Sequence, residues 1–169
     1  MKIFLIGFMG SGKSTVGRRL AEKLSLHFID FDKYIEKETG RTVPEIFETE
    51  GEEKFRSIEK EHLAKILSKE NILLSLGGGT PCFFNNMEVI NKNGTSVYLE
   101  TSSEILAKRL LRSKTKRPLI RGKNESELKE FIELTLEKRN PYYKQSHHTV
   151  IIESQTIEEV ADQIIKSIY

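Results

Sequence analysis

The sequence predicts an α/β fold built on a mainly parallel sheet, and three observations carry that prediction. Short apolar, β-branched runs alternate with longer amphipathic stretches along the whole chain. The short runs are continuously apolar rather than alternating, as expected of strands buried on both faces. Strands separated in this way by helices favour parallel pairing. The 169 residues suit one compact domain.

The first strand is predicted over residues 2–6. A glycine-rich turn follows, and then a helix over 14–24 with Val16, Leu20 and Leu24 at four-residue spacing. A second strand is predicted over 28–30. Residues 36–51 read as short helical pieces inserted after it. A helix over 52–67 carries Phe55, Ile58, His62 and Ile66. Further strands are predicted at 72–76, 95–99 and 149–152, with helices over 103–111, 128–138 and 156–168. The helix at 103 follows a Ser/Thr cluster that can cap it, and Glu104 places negative charge in its first turn, where the dipole favours it. Residues 113–125 are polar and basic, with Arg117-Pro118 and Gly122 among them. They read as a mobile loop of the kind that serves as a lid.

Composition narrows the class. The net charge is +2, too small to predict a nucleic-acid partner. No window approaches the roughly 20 apolar residues of a membrane span. The apolar start, residues 3–6, is too short for a signal peptide core. The lone cysteine, Cys82, excludes an intramolecular disulfide and any multi-cysteine zinc site. A cytoplasmic protein is expected, with no membrane partner. Nothing predicts an obligate interface, so a monomer is expected.

The strongest chemical signal is Gly7-Phe8-Met9-Gly10-Ser11-Gly12-Lys13-Ser14, a full G-x-x-x-x-G-K-[ST] pattern between a predicted strand and a predicted helix. Glycines let backbone N–H groups turn toward phosphate oxygens. The helix start adds unpaired N–H groups and the positive end of its dipole. Lys13 is placed to reach the β- and γ-phosphates and Ser14 to ligate Mg²⁺. The pattern predicts nucleoside triphosphate binding without choosing among kinase, GTPase and motor.

Three other groups bear on the acceptor. Asp30-Phe31-Asp32 closes the second strand, and residues two apart on a strand point the same way. One carboxylate can then sit near a metal while the other orients and deprotonates a hydroxyl. Asp at a strand end is also a common helix N-cap. In Gly51-Glu52-Glu53-Lys54-Phe55-Arg56-Ser57-Ile58-Glu59, Phe55 and Glu59 share a helical face with Arg56 beside them. The bland reading is a solvated helix with an intrahelical ion pair. Finally, Gly77-Gly78-Gly79 exposes bare backbone at a strand end, where open α/β sheets bind ligands.

Taken together, these pieces resemble the shikimate kinase family over nearly the whole chain. The resemblance rests on the phosphate loop through Thr15, Asp30-Phe31-Asp32, Ile46-Phe47, Gly51-Glu52 with Phe55-Arg56 and Glu59, Gly77-Gly78-Gly79, Arg117-Pro118-Leu119, and Arg139-Asn140-Pro141-Tyr142-Tyr143. It implies a three-layer α/β/α sandwich around a five-stranded parallel sheet. It also implies one domain over 1–169, a substrate-binding insert at about 31–60 and a lid at about 112–125. The implied activity transfers the γ-phosphoryl group of ATP, with Mg²⁺, to the 3-hydroxyl of shikimate. Asp32 is then the base, and Asp30 lies near the metal with Ser14. Gly10, Ser11, Gly12, Lys13, Ser14 and Thr15 hold ATP. Arg56 and Arg139 bind the substrate carboxylate, Glu59 orients Arg56, and Phe47 and Phe55 pack on the ring. Gly77, Gly78 and Gly79 contact substrate hydroxyls through backbone. Arg117 enters with the lid to neutralise charge on the transferring group. Arg112 stacks on adenine, with Arg109 as the alternative. The rival readings are another small-molecule kinase, such as a gluconate-type kinase, and a non-catalytic nucleotide-binding module.

Overall fold

The computed structural model describes residues 1–113, 120 and 122–169. Five strands form one sheet in the order β2-β3-β1-β4-β5, and every pairing is parallel. The strands are β1 (Lys2–Ile6), β2 (His27–Asp30), β3 (Ile72–Ser75), β4 (Thr95–Thr101) and β5 (His148–Ile152). Seven helices are described: α1 (Lys13–Lys23), α2 (Phe31–Thr39), α3 (Val43–Ile66), α4 (Asn86–Asn93), α5 (Ser103–Arg112), α6 (Glu125–Tyr143) and α7 (Ile157–Ile168). Among the described residues no helix is long and apolar enough to cross a membrane.

β1 explains the layering. Its side chains alternate between faces, and all are apolar after Lys2. Ile3 and Leu5 enter a core with Val16, Leu20, Val160 and Ile164, so α1 and α7 cover that face. Phe4 and Ile6 enter the opposite core with Phe31, Ile46, Leu63, Met87 and Tyr143, which α2, α3, α4 and α6 cover. A smaller cluster of Phe8, Leu106, Leu110, Leu128 and Ile132 ties α5 and α6 to the glycine-rich turn. At the sheet's carboxyl edge Asp30 pairs with Ser75, and Ser75 with Leu5. The ends of β2, β3 and β1 therefore lie side by side.

The structure differs from the sequence reading in four places. α2 starts at once after β2, because Asp30 caps it by accepting from the Lys33 N–H at 3.4 Å. α3 begins at Val43 behind a Thr42/Glu45 capping box and breaks at Gly51 (φ 81°, ψ 173°), which the reading had placed outside the helix. α6 extends well beyond 128–138, opened by an Asn124/Glu127 capping box. α4 went unpredicted, since among its eight residues only Met87 and Ile90 are buried hydrophobics. Residues 114–119 of the predicted lid loop lie outside the described residues.

Candidate active site

The glycine-rich turn leaves β1 and enters α1. Gly10 (φ 86°) and Gly12 (φ 97°) adopt left-handed backbone that side chains resist. α1 starts with no side-chain cap, whereas Asp30, Thr42, Ser102, Asn124 and Thr156 cap α2, α3, α5, α6 and α7. The positive dipole end of α1 thus meets the turn with no side-chain cap, a setting that suits an anion. The Ser11 hydroxyl is buried with no hydrogen-bond partner in this structure, a costly state that an arriving acceptor oxygen would relieve. Lys13 Nζ donates to the carbonyls of Gly7 (2.7 Å) and Phe8 (2.9 Å). The Ser14 hydroxyl donates to Asp30 Oδ2 at 2.8 Å. Asp30 therefore does both things open to it, capping α2 with one oxygen and meeting Ser14 with the other. Thr15 is exposed at the start of α1. Arg109 Nη1 lies 3.4 Å from the carbonyls of Gly10 and Ser11, while Arg112 is exposed at the end of α5. Arg117 lies outside the described residues.

Across from this loop, Gly77-Gly78-Gly79 follows β3, and four charged side chains crowd against it. A Cβ on Gly77 would sit 2.7 Å from Asp32 Oδ1 and 3.2 Å from Glu59 Oε1. On Gly78 it would sit 2.9 Å from Arg139 Nη1 and 3.5 Å from the Gly7 carbonyl. On Gly79 it would sit 2.5 Å from Arg56 Nη2. A methyl at any of the three would displace one of these charged groups. Asp32, Arg56, Glu59 and Arg139 so converge on one turn, and that turn abuts the phosphate loop. Asp30 and Asp32 are not a strand pair, since Asp32 lies in the first turn of α2. They face different neighbours, Ser14 and Gly77.

The Arg56–Glu59 pair is not a solvated surface pair. Their side chains are 9% and 1% exposed, with Arg56 Nη1 donating to Glu59 Oε2 at 2.6 Å. Glu52 accepts from Arg56 Nη2 at 2.9 Å and from Nε at 3.2 Å. The guanidinium carbon sits 5.3 Å from the Phe55 ring centroid and 5.7 Å from that of Phe47, and those two rings are 4.6 Å apart. Two neighbours escaped the sequence reading. The buried Thr80 donates its hydroxyl to Glu59 Oε1, and Phe83 lies 4.4 Å from the Arg56 guanidinium carbon. Phe83 had a faint signal, an aromatic pair soon after the glycines; Thr80 had none. Cys82 is partly buried against the apolar core, and burial pushes its thiol up to about 11.

Charge is concentrated here. Burial pushes the Asp32 carboxyl up to about 6, the nearby Glu59 and Asp30 push it the same way, and Lys13 opposes them. Burial also raises Glu59, against Arg56, Thr80 and Arg139. The site so combines an anion cradle, a carboxyl poised near neutrality and two guanidinium groups. That set can align a small anionic alcohol with a terminal phosphate.

Comparison with known proteins points to one family. The shikimate kinase family pattern matches residues 9–169. A shikimate kinase of Azobacteroides pseudotrichonymphae is 46% identical over 99% of both chains. The crystal structure of shikimate kinase from Bacteroides thetaiotaomicron superposes with a TM-score of 0.95 at 39% identity, covering 99% of this chain and 98% of the other. Shikimate kinase from Acinetobacter baumannii in complex with shikimate gives 0.90 at 38% identity, covering 99% and 92%. A gluconokinase from Sinorhizobium meliloti gives 0.60 at 20% identity over 98% and 90%, a likeness of fold alone.

Proposed function

The chain belongs to the shikimate kinase family and is an ATP-dependent phosphotransferase, and from that premise we propose how its own residues handle shikimate. Arg56 and Arg139 hold the carboxylate, since a planar guanidinium meets a carboxylate with two parallel hydrogen bonds. Glu59 orients Arg56, and Phe47 and Phe55 pack against the ring. The backbone of Gly77, Gly78 and Gly79 meets the ring hydroxyls. Asp32 accepts the proton of the 3-hydroxyl as that oxygen attacks the γ-phosphorus. The bond from phosphorus to the β–γ bridging oxygen breaks, giving ADP and shikimate 3-phosphate. A base titrating near 6 suits this role at neutral pH. Phosphoryl transfer asks the protein chiefly for alignment and charge stabilisation. Lys13 supplies charge from the phosphate loop. To Arg117 we assign the same service from the lid, a role that rests on family likeness.

The nucleotide contacts fall to Gly10, Ser11, Gly12, Lys13, Ser14 and Thr15. Arg109, already against the loop, is the better placed arginine for the base, with Arg112 one turn beyond it. Ser14 and Asp30, an oxygen-donor pair suited to a hard cation, would hold Mg²⁺. When bound, that ion would supply positive charge to the phosphates. The acceptor side of the single domain is the α2–α3 segment. A cytoplasmic monomer completes the reading, and a lone cysteine suits a reducing compartment.

The observation that carries this reading is the convergence of Asp32, Arg56 and Arg139 on the three glycines beside Gly7. An ATP-coupled assay with shikimate, gluconate and AMP as acceptors tests it. Turnover is expected with shikimate; turnover on AMP or gluconate but not shikimate would overturn it.

A further inference from the structure

One buried hydroxyl links the two halves of the acceptor site without belonging to either. Tyr143 ends α6, four residues and so one helical turn beyond Arg139. Its side chain is fully buried, and its hydroxyl donates to the Gly78 carbonyl at 2.5 Å. The Arg139 guanidinium works on the same phenol, its positive charge opposing the burial that raises it. Gly78 is where the two meet: a Cβ there would stand 2.9 Å from Arg139 Nη1 and 3.4 Å from Tyr143 Oη. The ring is held in turn. Tyr98 packs on it with centroids 5.1 Å apart, and Tyr98 donates its own hydroxyl to Asn140 at 3.0 Å. Burial pushes the Tyr143 phenol up to about 12, so it remains a donor throughout the neutral range.

The Gly78 carbonyl belongs to the same rigid peptide unit as the Gly79 N–H. Fixing that carbonyl therefore fixes where the N–H points. The Tyr143 hydroxyl, set against the same glycine as Arg139 Nη1, also limits where the Arg139 fork can sit.

We propose that Tyr143 is a positioning residue for the acceptor: its hydroxyl sets the spacing between the carboxylate-holding Arg139 and the hydroxyl-binding Gly78–Gly79 peptide. This deepens the reading above and rests on its assignment of Arg139 to the substrate carboxylate.

Tyr143→Phe keeps the ring and removes the link. In the full chain it should raise KM for shikimate on the order of tenfold. KM for ATP and kcat should stay within about twofold, because the phosphate loop is untouched. Tyr98→Phe, which loses a neighbouring buried hydroxyl that does not reach the glycines, should leave KM for shikimate unchanged. In an Arg139→Lys background, Tyr143→Phe should add little, since the two act as one unit.

The failures separate cleanly. A raised KM in Arg139→Lys with none in Tyr143→Phe sinks this inference alone. An unchanged KM in Arg139→Lys sinks the reading beneath it as well. Equal rises in Tyr143→Phe and Tyr98→Phe would mean general loosening and would also reject it. Thermal melts of each variant accompany the kinetics, and a lowered melting temperature with unchanged KM for shikimate assigns Tyr143 to packing only.

Discussion

The two sides of the crevice are built on opposite principles. On the proposed reading, the core of the nucleotide side is one contiguous stretch, residues 7–15, built on backbone, two left-handed glycines and an uncapped helix. The proposed acceptor side is assembled from Asp32, Arg56, Glu59, Gly77–Gly79 and Arg139, drawn from four elements and more than 100 positions of sequence. Bare backbone can serve a phosphate, because any phosphate presents the same oxygens. A particular polyol acid needs side chains of chosen charge at chosen spacing, and only the assembled fold supplies them. Substitutions on one side should therefore leave the other nearly untouched.

The sharpest test is Asp32→Asn. It should lower kcat by roughly 10²–10⁴-fold, the usual worth of a positioned base, while ATP binding persists. Activity within a few-fold of the parent would remove Asp32 from that role. Next, Arg139→Ala should cost about 2–5 kcal/mol in kcat/KM, felt through KM for shikimate. An unchanged KM would take Arg139 out of the site.

A pair of glycine variants divides the crevice more finely. Gly79→Ala pushes a methyl into a guanidinium that Glu52 and Glu59 already pin, and should cost about 1–3 kcal/mol in acceptor binding. Gly12→Ala forces a side chain into left-handed backbone and should cost about 1–2 kcal/mol, read in KM for ATP. If either variant moved both constants equally, the division would fail.

The last test concerns pH. Asp32 must be ionised to act, so kcat/KM for shikimate should fall below about pH 6, with ATP binding flat across that range. Stability should run the other way. The folded carboxyl is raised from 3.8 to about 6, so its ionisation weakens the fold as pH climbs through that window. Asp32→Asn should then melt higher than the parent at pH 7.5, by an amount equivalent to at most about 3 kcal/mol. The gain should vanish below pH 4. A lower melting temperature at pH 7.5 would show that burial does not strain this carboxyl.

Legibility followed the same divide. The phosphate loop and its flanking strand and helix could be read directly, because motif and periodicity are local. The five strands could be read from apolar runs, with ends off by one or two residues where pairing partners set them. α4 could not, because two core residues in an eight-residue helix leave no periodic signal. The burial of Arg56 and Glu59 was also invisible, since an i,i+3 ion pair looks the same in water as in a core. What buries it, Thr80 and Phe83, comes from beyond the next strand. The spacing of Asp30 and Asp32 suggested a strand pair, and a helix that starts at Phe31, inside that triplet, changed what each carboxylate faces.

The break at Gly51 has a consequence for how this scaffold diversifies. In an unbroken helix, eight residues would part Phe47 from Phe55 by about 12 Å along the axis, yet the rings sit 4.6 Å apart. A single glycine folds the first half of α3 back like a hinged shutter over the second. That shutter, Val43 to Glu50, is pinned to the core through the buried Ile46, while most of its other side chains face outward. Changes in acceptor would therefore be expected to fall on the shutter's outward positions and on the Gly51 pivot, with Ile46 kept as the anchor.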